Sequence, residues 1–359
     1  MTESYLTYYR GNTVLVTGGA GSIGSNLSRE LARLGAAPVI VLDDLSAAYR
    51  WNVPADDNVL FVRGSVTDEV TLKRVFQRRP AVVFHLAAFF ANQNSVDYPE
   101  RDLMTNGLGA LKVFQYAQMC GVERLVYASS GCSIYGAAAP LPLDESFVST
   151  HLTTPYQITK MLGELYANFF HHHYGLKVVK TRLFNSYGPG EVPGQYRNVI
   201  PNFIYWAMSG RPLPLTGSGD ETRDFTYVGD VVDALLRAGC LEAAVGEEMN
   251  VASGVEVSIG QLAEEINRRV GNRAGVVRAE PRAWDTKKRL WASIARAEKL
   301  LGYQPRIDFT TGLDRTIDWF RANWDRIRAD AEFPPGMSAA VDAPAPVSDD
   351  GDGDDDAGR

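Results

Sequence analysis

The stretch Val14-Leu-Val-Thr-Gly-Gly-Ala-Gly-Ser-Ile-Gly24 joins a short apolar run to a glycine cluster, and Leu27, Leu31 and Leu34 then recur at helical spacing until Gly35. This reads as strand, tight turn and helix. Gly18, Gly21 and Gly24 stand at i, i+3 and i+6, and Gly19, Gly21 and Gly24 also satisfy G-x-G-x-x-G. Without Cβ atoms such a turn lets backbone N–H groups reach a pyrophosphate at the helix N-terminus. The next apolar run, 39–42, ends in Asp43, 19 residues after Gly24. A carboxylate at that distance grips the ribose hydroxyls of a dinucleotide. Asp44 follows it and no basic residue occurs before Arg50, so a 2′-phosphate would be repelled and NAD is expected rather than NADP.

Outward from this unit the alternation continues. Runs at 59–62, 81–86, 124–129 and 177–183 read as strands, and helices are expected from a Thr67 or Asp68 cap to about 78, over 99–120, and over 154–174 with Pro155 in the first turn and Gly175 as cap. Strands alternating with helices imply an α/β fold, a Rossmann-type doubly wound parallel sheet covered on both faces. Beyond Asn185 the pattern loosens into Gly/Pro-rich segments expected to carry binding loops, and from about 330 Pro, Ala, Ser, Gly and Asp dominate. The expected division is a dinucleotide-binding Rossmann domain at 1–184, a smaller α/β region at 185–329, and a disordered acidic tail at 330–359.

Of the 359 residues 45% are hydrophobic and 22% charged, which excludes collagen-like and wholly disordered classes. The net charge is −7, and residues 342–359, with seven Asp and one Arg, carry −6 of it. The near-neutral body shows no Lys/Arg stripe, so no nucleic-acid partner is expected. Three cysteines, Cys120, Cys132 and Cys240, have no metal-ligand spacing and fit free thiols. With no signal-like N-terminus and no apolar run of about 18 residues, a cytoplasmic protein without a membrane partner is expected. His171-His-His173 is no metal site, since consecutive helical residues point about 100° apart. No metal is expected.

Tyr156 and Lys160 stand at i and i+4 on one helix face. A phenol titrates near 10, and an adjacent ammonium favours its ionised form. The pair recurs by chance on many helices, but here it follows the fifth strand and Ser129-Ser-Gly-Cys-Ser-Ile-Tyr-Gly136, at the edge where cofactor and substrate meet.

With these motifs, together with His85-Leu-Ala-Ala88, Arg182-Leu-Phe-Asn-Ser-Tyr-Gly-Pro189 and Thr222-Arg-Asp-Phe-Thr-Tyr-Val228, the chain resembles the extended short-chain dehydrogenase/reductase family over residues 12–322, specifically its nucleotide-sugar epimerases and dehydratases. The resemblance implies that Tyr156 takes a sugar hydroxyl proton while NAD takes the carbon-bound hydride. Lys160 would bind the nicotinamide ribose and lower the tyrosine pKa, and Ser133 would help relay the proton. It further implies cofactor contacts at Gly18, Gly21, Ser22, Ile23, Gly24, Asp43, Asp44, Ser46, Ser65, Val66, Leu86, Ala87, Ala88, Asn106 and Phe184. Ser130, Asn185, Val199, Arg223 and Arg282 would bind a nucleotide-diphosphate sugar, with a UDP-sugar first in line. A homodimer through the helices at 99–120 and 155–174 is expected, with Leu103, Leu108, Leu111, Phe114, Met161, Leu165 and Phe169 on its surface.

Departures from the family pattern separate the activities. Ser65 stands where many members carry an Asp for the adenine amine, and Gly131 where galactose-type 4-epimerases often carry a serine. The Asp-Glu dyad of 4,6-dehydratases is replaced by Cys132 and Ser133, so that reaction lacks its acid and base. A 4-epimerase is the leading expectation. A dehydratase or C5-acting enzyme using Cys132 as a depressed-pKa thiol, and a non-catalytic NAD-binding regulator, are the alternatives.

Overall fold

The computed structural model describes residues 4–279 and 287–333. Seven parallel strands form the central sheet: β1 (Val14–Thr17), β2 (Val39–Asp43), β3 (Val59–Arg63), β4 (Val82–His85), β5 (Arg124–Ser130), β6 (Val178–Leu183) and β7 (Glu248–Val251), in the order β7-β6-β5-β4-β1-β2-β3. The strand order reverses between β1 and β4, the switch point at which such folds open a ligand crevice. Every residue of β1, β2, β4 and β5 is buried, as expected of parallel strands covered on both faces. The seventh strand lies outside the strands read from the sequence. Glu248 and Asn250 interrupt its apolar pattern, yet Glu248 to Val251 pair with Lys180 to Leu183.

Helices α1 (Ser22–Arg33), α2 (Glu69–Phe76), α3 (residues 99–119), α4 (Pro155–Tyr174), α5 (Val199–Met208) and α6 (Val228–Ala238) follow in chain order. One face of the sheet is covered by α1 and α6, with Leu27, Leu31, Val231 and Leu235 in a common core. The opposite face takes α2, α3 and α4 through Leu72, Val75, Val113, Phe114 and Phe170. Phe114, expected on an outer dimer surface, is instead fully buried, its ring stacked on Phe170 at 5.5 Å. A third core, with Phe203, Trp206, Leu262, Leu313 and Phe320, builds the smaller C-terminal layer.

Local chemistry sets the helix ends. Asp68 caps α2 by accepting from the N–H groups of Val70 and Thr71, and Thr154 caps α4 from Gln157. Within α3 the turn widens to a π-helix at Leu103–Gly109, a local device often found near functional sites. Arg182 on β6 makes a bidentate pair with Glu164 on α4, at 3.0 and 2.8 Å, and this buried pair ties the helix carrying Tyr156 to the sheet. Tails of the sequence reading at 334–359 lie outside the described residues, and so does Arg282. His171 directs Nδ1 at the Leu176 carbonyl, 2.9 Å away, and the His173 ring stacks on Phe169. Among the described residues no helix is long and apolar enough to cross a membrane.

Candidate active site

The carboxyl ends of the strands open into one cavity of about 980 Å³ that runs from the glycine turn to the C-terminal layer. At the end over β1, Gly18, Gly21, Ser22, Ile23 and Gly24 form its floor. A Cβ at Gly24 would lie 2.2 Å from the Gly18 carbonyl oxygen, so only glycine allows the chain to fold back this tightly. No side chain caps α1 and its first turn holds no acidic residue, which leaves N–H groups and the positive end of the helix for an anion. Asp43 closes β2 with Oδ2 accepting from Ala20 N–H at 3.0 Å and Oδ1 from Leu45 N–H at 2.9 Å. Burial raises its carboxyl pKa above the ordinary value while those two donors oppose the rise. Asp44, Ser46, Ser65, Val66, Leu86, Ala87, Ala88 and Phe184 also face the cavity. Unspent helix N–H groups for a pyrophosphate and a fixed carboxylate for ribose hydroxyls fit a bound dinucleotide.

Asn106 does not join this lining. It is 2% exposed, and its amide is spent on the wall of the cavity: Oδ1 accepts from Phe89 N–H at 2.8 Å while Nδ2 donates to the Phe89 carbonyl at 3.1 Å and to Asp102 at 2.7 Å. The expected cofactor contact is therefore a brace for the Phe89 backbone.

Tyr156 and Lys160 meet the cavity from α4, both nearly buried. Lys160 donates from Nζ to the Ala128 carbonyl at 2.9 Å and lies 5.7 Å from the centre of the Tyr156 ring. Burial lowers the Lys160 pKa to about 8, with Asp102 opposing. The Tyr156 phenol is held well above its ordinary value by burial first and by Asp102 and Cys132 next. Against the lowering expected from Lys160, desolvation of the buried phenolate sets the direction. Ser130 opposes the rise of the Tyr156 phenol and donates to Ser133 Oγ at 3.1 Å. Ser130 and Ser133 thus form a pair of hydroxyls on the cavity wall beside Tyr156. At Gly131 a Cβ would lie 1.9 Å from the Phe184 ring, so aromatic bulk fills the place where a serine side chain would project. Phe90 packs edge-on against Tyr156, ring centres 6.1 Å apart.

At the far end, Cys132, Asn185, Val199 and Arg223 line the cavity together with Lys287, which the sequence reading missed. Lys287 donates to the Cys132 carbonyl at 2.7 Å, and its own carbonyl accepts from Arg223 at 3.1 Å. The only signal for it was the basic run Lys287-Lys-Arg289. Cys132 Sγ accepts from Asn185 N–H at 3.2 Å, and burial pushes the thiol up to about 11. The depressed pKa considered for it is therefore reversed: burial outweighs the help from Lys287 and Arg223.

A Rossmann sheet with a dinucleotide cradle at its switch point and a buried Tyr/Lys pair beside a basic, polar pocket defines a nicotinamide-dependent enzyme. The chain belongs to the NAD dependent epimerase/dehydratase family, whose description matches residues 14–252. It is 34% identical over 310 residues to a UDP-glucose 4-epimerase of Mycolicibacterium smegmatis, covering 86% of this chain and 98% of that protein. Among solved structures, an epimerase from Methanothermobacter thermautotrophicus shares 55% identity with a TM-score of 0.91, covering 92% of this chain and 98% of that one. The UDP-glucose 4-epimerase of Thermotoga maritima, solved with UDP-glucose, shares 33% identity with a TM-score of 0.83, covering 87% and 99%. The protein is thus an enzyme of the epimerase/dehydratase kind that works with NAD.

Proposed function

We propose that the protein is a nucleotide-sugar 4-epimerase acting on a UDP-sugar, and the single observation that carries this reading is the Ser130–Tyr156–Lys160 arrangement without a carboxylate at 132 or 133. Bound NAD supplies a reversible hydride acceptor for sugar C4. Gly18 to Gly24 and Asp43 would hold its pyrophosphate and ribose, and Lys160 would bind its nicotinamide ribose. Tyr156 removes the C4 hydroxyl proton and later returns it, with Ser130 and then Ser133 keeping that proton on a hydroxyl chain. The buried walls around Tyr156 and Lys160 exclude water while the 4-keto sugar turns over to present its other face.

Arg223 and Asn185 serve the nucleotide diphosphate, with residues 185–329 supplying most of that half of the site. A dehydratase would need a carboxylic acid and a carboxylate beside the sugar C5–C6 bond, and neither stands at 132 or 133. A pure NAD sensor would have no use for the Tyr156–Lys160 pair. The working form is a homodimer through the exposed side chains Leu103, Met104, Ile158, Leu165 and Phe169 of α3 and α4.

Incubating the purified protein with UDP- and dTDP-sugars in D₂O and reading the products by NMR tests the reading. Interconversion at C4 with every carbon-bound proton retained is expected. Deuterium at C5, or a 6-deoxy product, would overturn it.

A further inference from the structure

Behind the catalytic pair, at the junction of α3 and α4, sits a carboxylate that the proposed reaction does not use. Asp102 is fully buried and is absent from the cavity wall. Its Oδ1 accepts from Thr159 Oγ1 at 2.6 Å, one residue before Lys160, and its Oδ2 accepts from Asn106 Nδ2 at 2.7 Å. Asn106 in turn clasps both the N–H and the carbonyl of Phe89, the start of the cavity wall that continues to Phe90 on the Tyr156 ring. Asp102 and Asn106 stand at i and i+4 on α3, the spacing that sets two side chains one turn apart on the same helix face.

Burial raises the Asp102 carboxyl above its ordinary value, while Thr159, Asn106 and the charge of Lys160 oppose that rise; among the described residues no Lys or Arg makes an ion pair with it. The groups packed around Lys160 narrow the search. From β4, His85 is pushed down to about 3 by burial and stays neutral. From β5, Tyr127 is held well above its ordinary value and stays neutral, its ring centre 5.5 Å from Lys160 Nζ. On α4 itself burial holds the Tyr156 phenol above its ordinary value, and Glu164 is committed to Arg182. From the turn after β5, Cys132 is a neutral thiol. The charge acting on Lys160 from this shell is Asp102, on α3.

We propose that Asp102 is a positioning residue of the catalytic pair: it is the counter-charge that keeps Lys160 an ammonium inside a buried site, and through Thr159 and Asn106 it locks α4 to the loop bearing Phe89 and Phe90. This rests on Tyr156 and Lys160 being the reactive pair. Burial already brings Lys160 to about 8, so its charge is complete below that pH and lost above it. Removing Asp102 moves this loss toward neutral pH.

Two measurements test it. In Asp102→Asn the alkaline limb of the pH–turnover profile should move down by about one pH unit, so that the deficit at pH 8 exceeds that at pH 6 by roughly fivefold. In Lys160→Met, carboxyl ¹³C NMR of aspartate-labelled protein should show a buried aspartate titrating about one pH unit higher, because coupling between two sites is reciprocal. An activity loss in Asp102→Asn that is equal at all pH values, or an aspartate titration unmoved in Lys160→Met, overturns the assignment. Should Asp102→Asn fail to fold, the titration in Lys160→Met decides alone. That arm needs no turnover, so absence of epimerase activity toward every nucleotide sugar would sink the proposed function and leave this inference to be judged on the titration.

Discussion

At the cofactor end of the cavity, the groups that meet a ligand come mainly from residues 18–24 and 43–46, and many are backbone N–H groups fixed by a strand, a turn and the start of α1. At the sugar end, Cys132, Asn185, Arg223 and Lys287 arrive from separate segments, with the Lys287–Cys132 bond spanning 155 residues. The first end is local and made of peptide; the second is non-local and made of side chains. A local site is robust to side-chain substitution and tied to the fold, whereas a convergent one can change its ligand by changing a few residues. The Tyr156–Lys160 pair sits between them, local in spacing yet dependent on Ser130 from β5 and on the Arg182–Glu164 tie for its setting.

The largest effect is expected where the two ends meet. Tyr156→Phe keeps the ring against Phe90 and removes the hydroxyl that hydrogen-bonds Ser130. Turnover should fall by roughly 10²–10⁴, the contribution of a positioned acid or base. NAD affinity, measured by calorimetry, should stay within about threefold, because the cradle made by residues 18–24 is untouched. Loss of both together would mean that the two ends are not separable.

This division also explains what could be read in the sequence. Six of the seven strands, the glycine turn and Asp43 announce themselves through apolar runs and short-range spacing, which depend on neighbours in the chain. Glu248–Val251 escaped because Glu248 and Asn250 break the apolar run, each engaged by tertiary partners: Glu248 with Lys180, and Asn250 with Tyr135. Lys287 was legible as a residue but not as part of the site, since its role arises from contacts across the fold. Asn106 was named as a cofactor contact, whereas its bonds to Phe89 and Asp102 depend on the fold and not on spacing. The Tyr156 and Cys132 thiol and phenol shifts depend on burial, which no spacing encodes.

The next effect falls on the cofactor end. Asp43→Ala deletes the acceptor for Ala20 and Leu45 N–H groups and the carboxylate assigned to the ribose hydroxyls. Charge-assisted hydrogen bonds of this kind contribute about 1.5–3 kcal/mol, so the NAD dissociation constant should rise by roughly 10- to 100-fold, and the preference over NADP should shrink. An unchanged preference in a calorimetric titration would show that discrimination lies elsewhere on the cavity wall.

Gly131→Ser asks whether the turn after β5 can accept a hydroxyl in a third position. The new Cβ would fall 1.9 Å from the Phe184 ring, and relieving it means displacing a buried aromatic side chain. Overpacking of this sort destabilises by about 1–3 kcal/mol, so thermal unfolding should come earlier with no gain in turnover. A variant as stable as the parent and more active would show that Phe184 yields and that the serine enters the relay.

The smallest effect is expected at Cys132, and it bears most directly on what the convergent end does. Cys132→Ala removes one weak acceptor, leaving the half-buried Asn185 N–H to water, while the Lys287 bond to the residue 132 carbonyl persists because it is made to the backbone. Reaction at C4 needs no second acid or base beyond Tyr156, and Cys132 Sγ is already engaged by the Asn185 N–H. Turnover should therefore remain within about threefold of the parent, far short of the factor lost when a true acid or base is deleted. If turnover instead collapses while reduced cofactor, read by its absorbance, builds up on addition of sugar nucleotide, then oxidation at C4 still occurs and a later step has lost its group. Cys132 would then be an acid or base despite its burial, the sugar end would be a second reaction centre rather than a binding pocket, and the 4-epimerase reading would give way to elimination or epimerisation at C5.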